Sequence, residues 1–115
     1  MAMNNEYKAR SLVYTWDKNI TSVNIGNGVT GIGESAFHRC GLTSVTIGNS
    51  VTSIGDYAFY NCGGLTSVTI PNNVTNISRW AFSGSIIKNV TFEGKNKSTV
   101  QGMTGYPFGF DGVNF

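Results

Sequence analysis

A chain of 115 residues has room for one modest core and not for two. Charged residues make up 12% of it, about half the share in ordinary globular domains, so its surface is polar but largely uncharged. The net charge of +2 is spread over isolated Lys and Arg residues, which excludes the dense basic stripe that nucleic acid requires, and no stretch approaches the length of a membrane span, so no membrane insertion is expected.

Residues 1–19 contain no repeat but bring Tyr7, Leu12, Val13, Tyr14 and Trp16, enough apolar surface to cover one end of a stack. They lack the basic start and apolar run of a secretory signal. The chain is therefore expected in the cytoplasm if Met1 is the native start.

From Ile20 onward the sequence repeats itself. Residues 20–41, 42–64 and 65–86 align as units of 22, 23 and 22 residues, and a partial fourth runs over 87–92. Stacking the units lines up Ile20, Leu42, Leu65 and Ile87; Val23, Val45, Val68 and Val90; and Ile25, Ile47, Ile70 and Phe92. Val29, Val51 and Val74, then Ile32, Ile54 and Ile77, then Ala36, Ala58 and Ala81 beside Phe37, Phe59 and Phe82, form further columns, with Cys40, Cys62 and Ser85 last.

Each unit opens with the alternation of a half-buried strand, as in Leu42-x-x-Val45-x-Ile47, and a recurrence every 22 or 23 residues makes neighbouring strands parallel. A Gly/Asn/Pro corner follows (Gly26-Asn27-Gly28, Gly48-Asn49-Ser50, Pro71-Asn72-Asn73), then a second extended segment. Asp56-Tyr57-Ala58-Phe59 and its equivalents read as a single helical turn, with Asp near its positive end. Because one unit cannot bury its own apolar face, the ends need covers. Residues 93–115, with Val100, Met103, Tyr106, Phe108, Phe110 and Phe115, supply the second. The expected architecture is an α/β-type repeat solenoid of about three and a half coils, with a four-strand parallel sheet on one face, short helical turns opposite, and an end cap on each side.

These residues resemble the BspA-like leucine-rich repeats of treponemal and bacteroidal surface antigens, whose unit reads L-x-S-V-x-I-P-x-x-V-T-x-I-G-x-x-A-F-x-x-C. Leu42 to Cys62 meets every fixed position except the Pro, which is Gly48 there and Pro71 one coil later. The tail around Val100-Gln101-Gly102-Met103 and Tyr106-Pro107-Phe108-Gly109 is similar to the closing segment of such proteins from gut bacteria and their phages. The resemblance implies recognition without chemistry and a place at the cell surface.

Positions that change between otherwise similar coils cluster on the short turns. His38, Arg39, Tyr57, Tyr60, Arg79 and Trp80 are there, the residue types that dominate binding hot spots. The competing surface is the sheet face, with Thr43, Thr46, Thr66, Thr69 and Lys88; solenoids bind on such faces, although Thr also simply suits an exposed strand. Asp56 and Arg79 share a position in neighbouring coils, which suggests a surface ion pair. Cys40 and Cys62 also stack, and read as buried thiols filling core niches rather than as a bridge.

No Cys/His metal spacing occurs and no cofactor is expected. An enzyme would have to use the single histidine, His38, or the stacked carboxylates Glu34 and Asp56; the carboxylates are expected on a convex, exposed turn and no insertion interrupts a coil to form a pocket, so the chain is expected not to be an enzyme. The resulting expectation is a non-catalytic module that binds a protein or a glycan, as in a bacterial surface adhesin or a phage receptor-binding component. The alternative is a small intracellular inhibitor of a host enzyme, for example a phage-encoded one. Unpaired sheet edges invite pairing, which points to a homo-oligomer formed through the end caps, the Trp16 end above all.

Overall fold

A computed structural model describes residues 2–3, 21–39, 41–110 and 113; for 2–3 it describes the backbone. Most of the expected N-terminal cap, Trp16, Ile20, Cys40 and Phe115 lie outside the described residues. The coils form as the alternation dictates: Val23, Ile25, Val68 and Ile70 point inward and are buried, while the residues between them are exposed.

One face carries β1 (Ala2–Met3), β2 (Ser22–Ile25), β4 (Ser44–Ile47), β6 (Ser67–Ile70) and β8 (Asn89–Phe92). The opposite wall of each coil carries the two-residue strands β3 (Gly31–Ile32), β5 (Ser53–Ile54) and β7 (Asn76–Ile77). All pairings are parallel, and each residue sits beside its equivalent one coil away, Val23 on Val45 and Ile54 on Ile77.

The expected four-strand sheet is divided. β1, β2 and β4 form one ladder and β6 and β8 another, whereas β3, β5 and β7 run unbroken. The division falls where the repeat is 23 residues long. There the additional residue makes a turn, with the Leu65 amide donating to the Cys62 carbonyl at 3.2 Å around Gly63-Gly64. The Thr43 amide donates to Thr21 at 2.7 Å and the Lys88 amide to Thr66 at 2.9 Å, but the equivalent bond from Thr66 to Thr43 is missing.

A shallow cleft of about 300 Å³ opens at this seam, lined by Val45, Thr46, Ile47, Asn49, Thr69, Pro71 and Glu93. Val45 is consequently half-buried while Val23 and Val68 are buried. The seam also accounts for the corner residues. A Cβ at Gly48 would meet the Ile25 carbonyl oxygen at 2.5 Å, so the corner stacked on an intact ladder takes glycine. Pro71, at the same position one coil later, has its ring against the cleft.

The segments expected as helical turns are overlapping β-turns. Ala36, Ala58 and Ala81 amides donate three residues back to Gly33, Gly55 and Ser78, and His38, Tyr60 and Ser83 amides to Ser35, Tyr57 and Trp80. Ser35 and Tyr57, third in the first turn of their coils, have φ near +58° and +57°, the mark of a type II turn. A helix would direct every amide along its own axis; here alternate amides leave the coil. Ser35, Phe37 and Arg39 donate to the carbonyls of Asp56, Ala58 and Tyr60, and Phe59 and Asn61 to those of Ala81 and Ser83. This wall is thus laddered like a sheet while its backbone turns every few residues.

Phe37, Phe59, Phe82 and Phe110 stack through the core at centroid separations of 5.4, 5.2 and 4.5 Å. The last ring comes from beyond the repeats. Residues after β8 form the helix α1 (Lys97–Gln101), capped by the Asn96 side chain, which accepts from the Thr99 amide at 2.8 Å. The chain then returns to the turn wall, where the Phe108 amide donates to Gly105 and that of Phe110 to Pro107, and the Phe82 amide donates to the Phe108 carbonyl. Residues 105–110 therefore lay a further pair of turns on the third coil. The approach is close: a Cβ at Gly105 would lie 2.6 Å from the Ile77 oxygen and one at Gly109 2.5 Å from the Ser83 nitrogen, both at φ near +90°.

Candidate functional site

The turn wall exposes a group of aromatic side chains, placed together by the repeat. His38 and Tyr60 are equivalent residues one coil apart, so their rings stack at 4.9 Å with 17° between planes. Tyr57 and Tyr60 lie three apart on successive turns of one coil, and their rings meet edge to face at 5.4 Å. Trp80 is the equivalent of Tyr57 in the next coil; Tyr57 is 37% and Trp80 44% exposed, among the most exposed large hydrophobic residues described.

His38, Arg39, Tyr57, Tyr60, Trp80 and Ser83 line one open depression of about 480 Å³. Five of the six turn residues singled out from sequence share it. Arg79, the sixth, faces the other side of Trp80, with its guanidinium carbon 5.6 Å from the centroid of an indole ring, a cation–π distance. The ion pair expected between Asp56 and Arg79 is not made; the Asp56 carboxylate instead accepts from the Ser78 hydroxyl.

Ser83, one of the varying turn positions in the sequence but not among its candidate residues, also lines this depression, and Tyr106 and Pro107, outside the candidates as well, lie beyond it. Ser83 occupies the column of His38 and Tyr60, a signal that was available. Tyr106 lies outside the repeat and could be placed only once the return of residues 105–110 was known.

The sheet face is organised differently. Thr43 Oγ1 donates to the Thr21 carbonyl at 3.1 Å and Ser44 Oγ to Ser22 Oγ at 3.2 Å, so these hydroxyls are engaged along the ladder. Thr46 and Thr69 line the seam cleft, and Thr66 and Lys88 are exposed. The five candidates on this face are therefore not gathered into one hollow.

Glu34 lines a corner cleft of about 340 Å³ with Ser53, Asn76, Ser78 and Thr104, and Asp56 does not line it. Cys62 is buried, with its thiol donating to the Phe37 carbonyl at 3.4 Å. Among the described residues no group of three or more His, Cys, Asp or Glu side chains is placed to hold a metal ion, and no helix is long and apolar enough to cross a membrane.

Residues 10–105 match the model of the BspA type leucine-rich repeat region, in six copies. The chain belongs to the BspA-type leucine-rich-repeat family. A crystal structure of a leucine-rich repeat protein from Bacteroides capillosus is similar to this BspA-type chain, with a TM-score of 0.59 and 26% identity over 82% of its residues. The match spans 62% of the Bacteroides protein. No curated protein matches the chain significantly. BspA-type repeats are in general a recognition or protein-interaction scaffold without catalytic activity.

Proposed function

We propose that this BspA-type chain is a non-catalytic recognition module whose binding surface is the aromatic turn wall, serving in a bacterial surface adhesin or a phage receptor-binding component. The observation that carries the reading is the convergence of His38, Arg39, Tyr57, Tyr60 and Trp80 on one depression. Large rigid rings with polar rims are what binding hot spots are made of, since they offer contact area at little entropic cost.

A purely structural turn column has no need of these residues. Ser35 fills the position of Tyr57, and Ser83 that of Tyr60, within the same ladder. The test passes lysates and surface polymers of candidate host cells over immobilised wild-type protein, a Tyr57/Tyr60/Trp80 triple-Ala variant and a Thr43/Thr66/Lys88 triple-Ala variant. The expected result is a partner retained by the wild type and the sheet-face variant, and reduced at least about tenfold on the aromatic variant, a loss of ~1.4 kcal/mol or more. Loss on the sheet-face variant instead would move the binding surface to that face.

A further inference from the structure

The aromatic wall continues past Trp80. A second depression of about 360 Å³ lies on the far side of the indole, lined by Arg79, Trp80, Ser83, Tyr106, Pro107 and the ring and backbone of the closing turns. Trp80 and Ser83 belong to both hollows, so the two are halves of one groove along the solenoid axis. With coils about 4.8 Å apart, the four levels bearing His38, Tyr60, Trp80 and Tyr106 extend the groove over roughly 14 Å. That length suits a ligand made of successive units.

The chemistry of the lining narrows the class. The lining combines aromatic rings from Tyr57, Tyr60, Trp80 and Tyr106 with the polar side chains of Ser83, Arg39 and Arg79, so a complementary unit has an apolar face and a polar edge. A sugar ring has both. One arginine lines each hollow, Arg39 the first and Arg79 the second, and no Asp or Glu is among the lining residues of either. Carboxylate is the complementary charge, and Arg binds it in a fixed two-point geometry.

A peptide fits less well. Strand addition needs free backbone donors, and the amides of Ser35, Phe37, Arg39, Phe59 and Asn61 are committed to the next coil. The two hollows are open and share Trp80 and Ser83, which suits an extended chain of units lying along them better than a single inserted side chain.

We infer that the groove takes a carboxylate-bearing glycan of at least two sugar residues, one in each hollow, straddling Trp80. The inference rests on the turn wall being the binding surface.

The test probes a printed array of neutral, uronate-containing and sialylated glycans with the wild-type protein. Bound chains are then titrated at low and high salt against the wild type, Trp80→Ala, Tyr106→Ala and Arg79→Gln, with thermal melts confirming that each variant is folded. The inference expects acidic chains of two or more residues to bind and single sugars to bind at least about tenfold more weakly, with affinity falling as salt rises. Trp80→Ala is expected to abolish binding, and Tyr106→Ala to reduce the longer chains to the level of single sugars. Arg79→Gln is expected to weaken acidic chains by about tenfold.

Equal binding of neutral and acidic chains would overturn the inference. So would an absence of glycan binding alongside a protein partner that depends on Tyr57, Tyr60 and Trp80, an outcome that leaves the wall as the recognition surface. Acidic chains that bind Trp80→Ala as well as the wild type would overturn both.

Discussion

Phe59 lies face to face between Phe37 and Phe82, with no exposed surface. Removing its ring leaves a cavity in the middle of the stack that neighbouring coils, held by their ladders, cannot collapse to fill. Phe59→Ala is expected to cost about 3–5 kcal/mol, read as a lowered midpoint in chemical denaturation at unchanged slope; a loss under ~1 kcal/mol would contradict the stacked core. This column was legible in the sequence because Phe recurs at one position of the unit. The left-handed backbone at Tyr57 was not, since an aromatic residue carries no sign of it. Only the neighbouring column hinted at such a conformation, where Arg39 and Asn61, near +58° and +57°, are followed by Gly84 at +74°.

Strands followed directly from alternation, whereas the turn wall did not. Asp56-Tyr57-Ala58-Phe59 has the composition of a helical start, but four residues are too few to stabilise one, and the next coil's carbonyls compete for the amides. The seam has a sequence signature as well, the single additional glycine before Leu65. Because nothing lies within 4 Å of a Cβ built at Gly63, shortening the chain there is expected to let the Thr66 amide donate to Thr43 and join the two ladders. Deletion of Gly63 should then slow hydrogen exchange at Thr66 by about tenfold or more, while Gly63→Ala leaves it unchanged. Fast exchange at Thr66 in the deletion variant would show that something other than the inserted residue divides the sheet.

Across the described residues, 35 × 27 × 18 Å in extent, the same stacking produces the scaffold and the aromatic turn wall. Inward positions are held constant from coil to coil and build the core; outward positions on the turns vary and bring unlike residues into register. That logic makes His38, Arg39, Tyr57, Tyr60 and Trp80 legible as neighbours in the sequence itself, because equivalence in the repeat is adjacency in space. It fails where the repeat ends, which is why Tyr106 and Pro107 came from the fold alone. The central claim is that ligand contacts the turn wall rather than the sheet face, and amide and indole chemical-shift mapping of the labelled protein with its retained ligand tests it most directly. Shifts are expected at His38, Arg39, Tyr57, Tyr60, Ser83 and the Trp80 indole, with Thr43, Thr46, Thr66, Thr69 and Lys88 unmoved; perturbations confined to those five sheet-face residues would contradict the account.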